Sequence, residues 1–217
     1  MHMFGSLFSL ILGSLINLTG DWFLAVALLT FGLKLLLFPL SVNQQRTQLL
    51  SANLSQVKSV LTVKFHNKTE KVNSELLKIS SKYKVNSFIS FLPFIIQAPI
   101  LFSFYFSVLN LSSSVGSFLL PWVSGVHAMD NLHILPAIAG FFQGVNGFTS
   151  SNRNFLSFLV PVIIGLIFLW KAPAALSAYW IVNSALGLTE KQIFSLRAVR
   201  KRLFNIPTPE QMIEETV

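Results

Sequence analysis

The chain has 217 residues, 53% hydrophobic and 11% charged, with a net charge of +8 and no cysteine. A soluble domain carries roughly 25% charged residues, so this composition, with a mean hydropathy of +0.63, indicates a membrane protein. The missing thiols exclude disulfides and cysteine-based metal centres.

Residues 1–19 open the chain without a basic n-region. Phe4, Phe8, Ile11, Leu15 and Leu18 recur at helical spacing, and Ser6, Ser9, Gly13 and Asn17 fill the other face. That pattern predicts an N-terminal interfacial helix on the outer side, with a remnant signal segment as the rival reading. Gly20 ends it, and Asp21 is placed to N-cap the segment that follows.

Five stretches approach the roughly 20 apolar residues of a membrane span: 22–42, 87–109, 132–149, 155–171 and 173–194. Prolines 93, 99, 136 and 161 fall inside them, which neighbouring helices can accommodate in a bilayer. The expected fold is all-α and integral to the membrane: a five-helix transmembrane bundle with the N-terminal helix beside it.

Between the first two spans, 43–86 is basic and patterned. Leu50, Leu54, Val57 and Leu61 make one stripe, and Val72, Leu76, Ile79 and Tyr83 make a second. Asn67 with Glu70 reads as a cap at the second start. This predicts a cytoplasmic antiparallel helical hairpin with Lys58, Lys64, Lys68, Lys71, Lys78, Lys82 and Lys84 on its outer faces. Those lysines are either a solvated face that fixes topology or a contact surface for anionic headgroups or a partner.

The basic residues also set orientation. Of 16 Lys and Arg, eight lie between Arg46 and Lys84 and five between Lys191 and Arg202, as in cytoplasmic loops rather than a nucleic-acid site. With 43–86 inside, the segment 110–131, free of Lys and Arg, falls outside, and Arg153 falls inside. Lys171 is the one exception. The expected topology is N-terminus outside and C-terminus cytoplasmic, with 195–217 a cytoplasmic tail.

Polar groups at membrane depth are costly, so their positions carry information. Thr30, Lys34 and Ser41 share one face of the first span. Ser90 and Gln97 share a face of the second, and Gln143, Asn146, Gly147 and Ser150 cluster in the third. Trp180, Asn183, Gly187 and Glu190 form a stripe in the fifth. Several wet faces converging on one cavity would hydrate Lys34, whose bare burial costs at least about 2.5–3.5 kcal/mol. The plainer reading has Lys34 snorkelling over about 12 Å to the interface, and the amides acting as interhelical glue.

The spans hold no carboxylate before Glu190, where a proton or cation pathway normally needs several. The four histidines lack metal-ligand spacing, and neither a nucleophile–base constellation nor a phosphate-cradling glycine loop occurs. No enzyme, metal site or cofactor is expected.

Four motifs then suggest a family. "LLTFGLKLLLFPLSVNQQ", "KYKVNSFISFLPFIIQAPILFSFYF", "LPAIAGFFQ" and "PAALSAYWIVNSALGLTEKQI" occur in order and resemble the conserved spans of the YidC/Alb3 family of membrane protein insertases. The resemblance implies a hydrophilic groove open to cytoplasm and lipid, with Lys34 at the position of the groove's basic residue. Thr30, Gln97, Gln143, Asn146, Trp180 and Asn183 would line it. It implies nascent membrane proteins and the bilayer as partners, the ribosome and Sec translocon as further candidates, and a monomer in a bacterial inner membrane. Departures are Lys34 where Arg is usual, Ser87 where Pro is common and Ala175 where Gly is common. The moderately basic tail argues against strong ribosome binding. A small channel or transporter using the same groove is the alternative.

Overall fold

The computed structural model describes residues 2–83, 85, 92–111, 115–148, 155–204 and 206–214. Lys84, Ser87, Ser90, Ser150 and Arg153 lie outside the described residues. The described chain is helical and contains no strand; Met129 and Pro173 form an isolated antiparallel bridge. In chain order the helices are α1 (His2–Thr19), α2 (Trp22–Leu36), α3 (Phe38–Lys64), α4 (Thr69–Lys82) and α5 (Leu92–Asn110). They continue with α6 (Ile134–Phe148), α7 (Phe155–Leu169), α8 (Ala174–Ser195), α9 (Arg197–Leu203) and α10 (Pro209–Glu214). The chain divides into two compact units, Met1–Leu37 with Gln97–Ile193, and Phe38–Ile96 with Phe194–Val217.

The first unit packs α1, α2, α5, α6, α7 and α8 on one apolar core. Leu12 and Ile16 of α1, Trp22 and Val26 of α2, Phe104 of α5 and Leu169 of α7 are fully buried in it. Ala174, Ala175, Leu176 and Ala178 of α8 are buried in it as well. Helix α1 buries Phe8, Leu12 and Ile16, and leaves Ile11 and Leu18 exposed. The packed face is therefore rotated from the predicted stripe. Apolar residues cover well over half of the circumference, so the sequence does not select which part of that broad face packs, and the neighbouring helices decide.

Helices α6 and α7 meet at backbone distance. A Cβ at Gly147 would stand 2.1 Å from the Ser157 carbonyl oxygen, and one at Gly144 would stand 2.5 Å from Val162 Cγ2. Such small-residue contacts are how apolar helices pack where burial from water gives no drive.

The connection 115–133 is folded, with Leu120, Val123 and Val126 in the core. Two aspartates tie it down. Asp21 N-caps α2 as expected, accepting from the Phe23 and Leu24 amides, and also accepts from Ser117 Oγ and the Phe118 amide. Asp130 accepts from Trp122 Nε1 and the amides of Leu132 and Leu135. His133 stacks on Trp170 at 4.0 Å, and the Ala174 amide donates to Ala128.

One expected helix is two. The predicted 22–42 span stops at Leu36, passes through Leu37 at φ −87° and ψ 1°, and restarts at Phe38. Pro39 cannot donate to the Leu35 carbonyl and crowds the preceding turn, whereas proline is well placed in the first turn of a new helix. The first arm of the hairpin thus begins at Phe38 rather than 43. Among the described residues no single helix is long and apolar enough to cross a membrane; Trp22–Leu36 and Phe38–Lys64 meet that test only as a broken pair.

The second unit is the predicted hairpin with an addition. Leu50, Val57, Leu61, Val72 and Ile79 are buried between α3 and α4, with Leu54, Leu76 and Tyr83 packed against them. The turn uses His66 and Asn67 at φ 49° and 61°. The expected cap is corrected: Lys68 is the N-cap of α4 and makes no side-chain cap bond, because Asn67 is taken up by the left-handed turn, a conformation asparagine tolerates. The addition is the tail. Met212 of α10 is fully buried in the same cluster, and Asn53 Nδ2 donates to the Pro207 carbonyl at 2.9 Å.

Candidate functional site

Lys34 stands in the last turn of α2, one turn after Thr30. Neighbouring Leu35 and Leu36 are exposed, so the ammonium stands in an apolar stretch. It is not alone: Lys34 Nζ lies 2.8 Å from Glu190 Oε2 on α8, with the two side chains 21% and 16% exposed. The other oxygen, Glu190 Oε1, is buried with no hydrogen-bond partner. Next in sequence, Lys191 Nζ donates to the Asn146 carbonyl at 2.9 Å. Asn146 Nδ2 reaches the Ser184 carbonyl at 3.1 Å and the Phe142 carbonyl at 3.2 Å. Helices α2, α6 and α8 therefore meet through two ammonium groups, one carboxylate and one amide.

The other predicted groove residues distribute around this cluster. Thr30 is buried, and its hydroxyl donates to Val26 in its own helix at 2.7 Å. Gln97 donates to the hydroxyl of Tyr179 on α8, whose ring lies tilted against Phe104 with centroids 5.3 Å apart. Tyr179 precedes Glu190 by about 16 Å along the helix, so the structure does not bring Gln97 to Lys34. Gln143 is half-buried toward α7, its Cγ 4.0 Å from where a Cβ at Gly165 would stand. Asn183 and Trp180 are half-buried, with the indole 5.3 Å from the Phe168 ring. On the hairpin, Lys58, Lys64, Lys68, Lys71, Lys78 and Lys82 are exposed. Lys78 pairs with Glu75 at 2.7 Å.

Sequence reasoning left out Glu190, Lys191 and Tyr179 as site residues. The signal for Glu190 was present. It is the one carboxylate within α2 and α5 to α8.

Among the described residues no group of three or more His, Asp or Glu could hold a metal ion. A cavity of about 970 Å³ lies elsewhere in this unit, between α1 and α5, lined by Phe8, Pro99, Phe102, Ser103 and Phe106 among others. None of the ion-pair residues lines it.

A family model described as 60Kd inner membrane protein matches residues 14–201. The chain belongs to that family. Over 188 residues it is 27% identical to the membrane protein insertase YidC of Dechloromonas aromatica (strain RCB), covering 81% of this chain and 33% of the relative. Over 199 residues it is 26% identical to the YidC of Buchnera aphidicola subsp. Baizongia pistaciae (strain Bp), covering 89% and 37%. The match to the YidC of Cellvibrio japonicus (strain Ueda107) is 27% over 186 residues, covering 83% and 34%. The chain spans about a third of the length of these relatives. Family membership agrees with the resemblance carried by the four motifs, and the matched region contains Lys34, Asn146, Glu190 and Lys191.

Proposed function

We propose that this chain is a membrane protein insertase of a bacterial inner membrane, in which α2, α5, α6, α7 and α8 cross the bilayer and the α3–α4 hairpin lies in the cytoplasm. The observation that carries the reading is the largely covered ammonium of Lys34, held on an apolar helix and paired with Glu190. A polar or acidic segment of an incoming chain meets there an attractive cation and amide partners in place of hydrocarbon, which lowers the cost of its passage. The substrate's apolar helix then leaves sideways into lipid, driven by removal of its surface from water. The hairpin, with its exposed lysines, receives the nascent chain. Gln97, Gln143, Trp180 and Asn183 line the rest of the path, and Thr30, buried with its hydroxyl on the Val26 carbonyl, does not. The folded 115–133 connection, with its buried apolar residues, favours a path closed at that end over a through-channel. Family membership and the names of the relatives support the same reading.

The test is insertion of a single-span, acidic-tailed substrate into proteoliposomes holding this protein alone. Lys34→Arg should insert as wild type. Lys34→Ala leaves Glu190 as an unpaired anion, so the double variant Lys34→Ala/Glu190→Gln removes the Lys34 cation without stranding its partner and without changing the net charge of the site. It should insert acidic-tailed substrate several-fold more slowly than wild type. Wild-type insertion no better than empty liposomes would end the insertase reading, and undiminished insertion by the double variant would end the charge role of Lys34.

A further inference from the structure

We propose that Glu190 is the resident counter-ion of Lys34 and that a substrate carboxylate enters by taking its place. Glu190 thereby sets the preference of the site for acidic over neutral segments. The inference rests on the reading of Lys34 as the cation that meets the substrate.

Three observations carry it. First, the carboxylates of this unit are held very differently. Asp21 accepts four hydrogen bonds and Asp130 three, as structural acids do. Glu190 is held through one oxygen, by Lys34 alone, and its other oxygen is buried and unsatisfied. An anion held that way gives up little when it is displaced, because one of its oxygens already lacks the partner that water would supply. Second, Glu190 is the one acidic side chain in α2 and α5 to α8, so no other carboxylate on these helices can compensate Lys34. Third, Lys191 lies next in sequence and bonds to Asn146. When Glu190 is turned away, the ammonium groups of Lys34 and Lys191 stand at the cluster without its charge.

The pair solves a problem that the bare cation would create. A lone ammonium in an apolar wall is costly and would take up any anion, a lipid phosphate included. Paired with Glu190, it is compensated at rest, and an incoming anion must compete. One substrate carboxylate only matches the resident one. Two or more can engage both Lys34 and Lys191 and win. Acceptance therefore rises steeply with the number of carboxylates, and Glu190 returns to Lys34 as the tail leaves, which speeds release.

The experiment compares wild type with Glu190→Gln, which keeps shape and an oxygen acceptor but removes the competing charge. Single-span substrates carry tails with zero, one, two or three aspartates. Both insertion into proteoliposomes and equilibrium binding of the fluorescent tail peptides to nanodisc-held protein are read. Glu190→Gln should bind the one-aspartate tail about fivefold or more tightly, as loss of a partly covered charge competitor implies. It should slow tail release, flatten the dependence on aspartate number, and leave the neutral tail unchanged. A structural role would lower all tails together. Equal acidic-to-neutral ratios in the two proteins would overturn the proposal, as would a uniform loss. Should Glu190→Gln fold poorly, Glu190→Asp withdraws the carboxylate by one methylene and should give an intermediate shift. If wild type inserts nothing but the binding shift is found, the counter-ion role stands and the insertase reading falls.

Discussion

Replacing Asp21 by alanine tests how the 115–133 connection is tied to the start of α2. The side chain is 3% exposed. Its Oδ1 accepts from the Phe23 and Leu24 amides at 2.8 and 3.0 Å, and its Oδ2 from Ser117 Oγ and the Phe118 amide at 2.9 and 2.8 Å. Loss of an N-cap costs about 1 kcal/mol, and stranding the loop donors adds about 1–3 kcal/mol. Asp21→Ala should therefore destabilise by about 2–4 kcal/mol. Asp21→Ser, which keeps the cap and drops the loop arm, should cost about half of that. Reversible denaturation in mixed micelles measures both, and chymotrypsin cleavage at exposed Phe118 reports opening of the loop. Ser117→Ala in a double-mutant cycle should show a coupling of about 1 kcal/mol with Asp21→Ala. Burial by itself would raise the Asp21 pKa, but the bonds from Leu24, Ser117, Phe118 and Phe23 outweigh it and hold the carboxyl below its ordinary value of 3.8. The group is more acidic folded than unfolded. Its stabilisation is thus present above an unfolded pKa of about 3.9 and is lost as pH falls through the folded value. Asp21→Ala should remove that part of the acid dependence. A loss below about 0.5 kcal/mol, or strict additivity with Ser117→Ala, would refute the tie.

Three further substitutions probe packing, two in the first unit and one in the second. Gly147→Ala places a methyl 2.1 Å from the Ser157 carbonyl, so α6 and α7 must separate by about 1 Å or more, at a cost of about 1–3 kcal/mol or above. Gly32→Ala meets nothing within 4 Å and should be neutral or slightly stabilising; equal unfolding curves for the two variants would contradict the close approach. Met212→Ala should cost about 2–3 kcal/mol locally and speed protease removal of the 206–214 segment while α3 and α4 stay folded. Unchanged proteolysis would show that the tail is not anchored by Met212.

Much of the architecture was legible because it follows from local patterning. The stripes Leu50–Leu54–Val57–Leu61 and Val72–Leu76–Ile79–Tyr83 are amphipathic, and each predicted its buried face. Asp21 followed by an apolar run predicted its cap. Helix α1 was legible as a helix but not in its packed face, since its apolar face is broad and the sequence does not say which part of it packs. The break at Leu37 was written in Pro39 but hidden by the continuous apolar run around it. Asn67 was misread because an asparagine serves equally well as a cap or in a left-handed turn.

The membrane character and the four family motifs follow from the sequence by itself, as do the presence of a single lysine in the first apolar stretch and a single glutamate near the end of the last. Those properties depend on composition and short-range order. That Lys34 and Glu190 belong to each other, that Gln97 turns to Tyr179, and that Met212 closes the hairpin core were decided only by the tertiary structure. Each joins residues tens to more than a hundred positions apart, and which polar partners meet across packed helices depends on helix rotation and crossing, quantities that an apolar sequence leaves open.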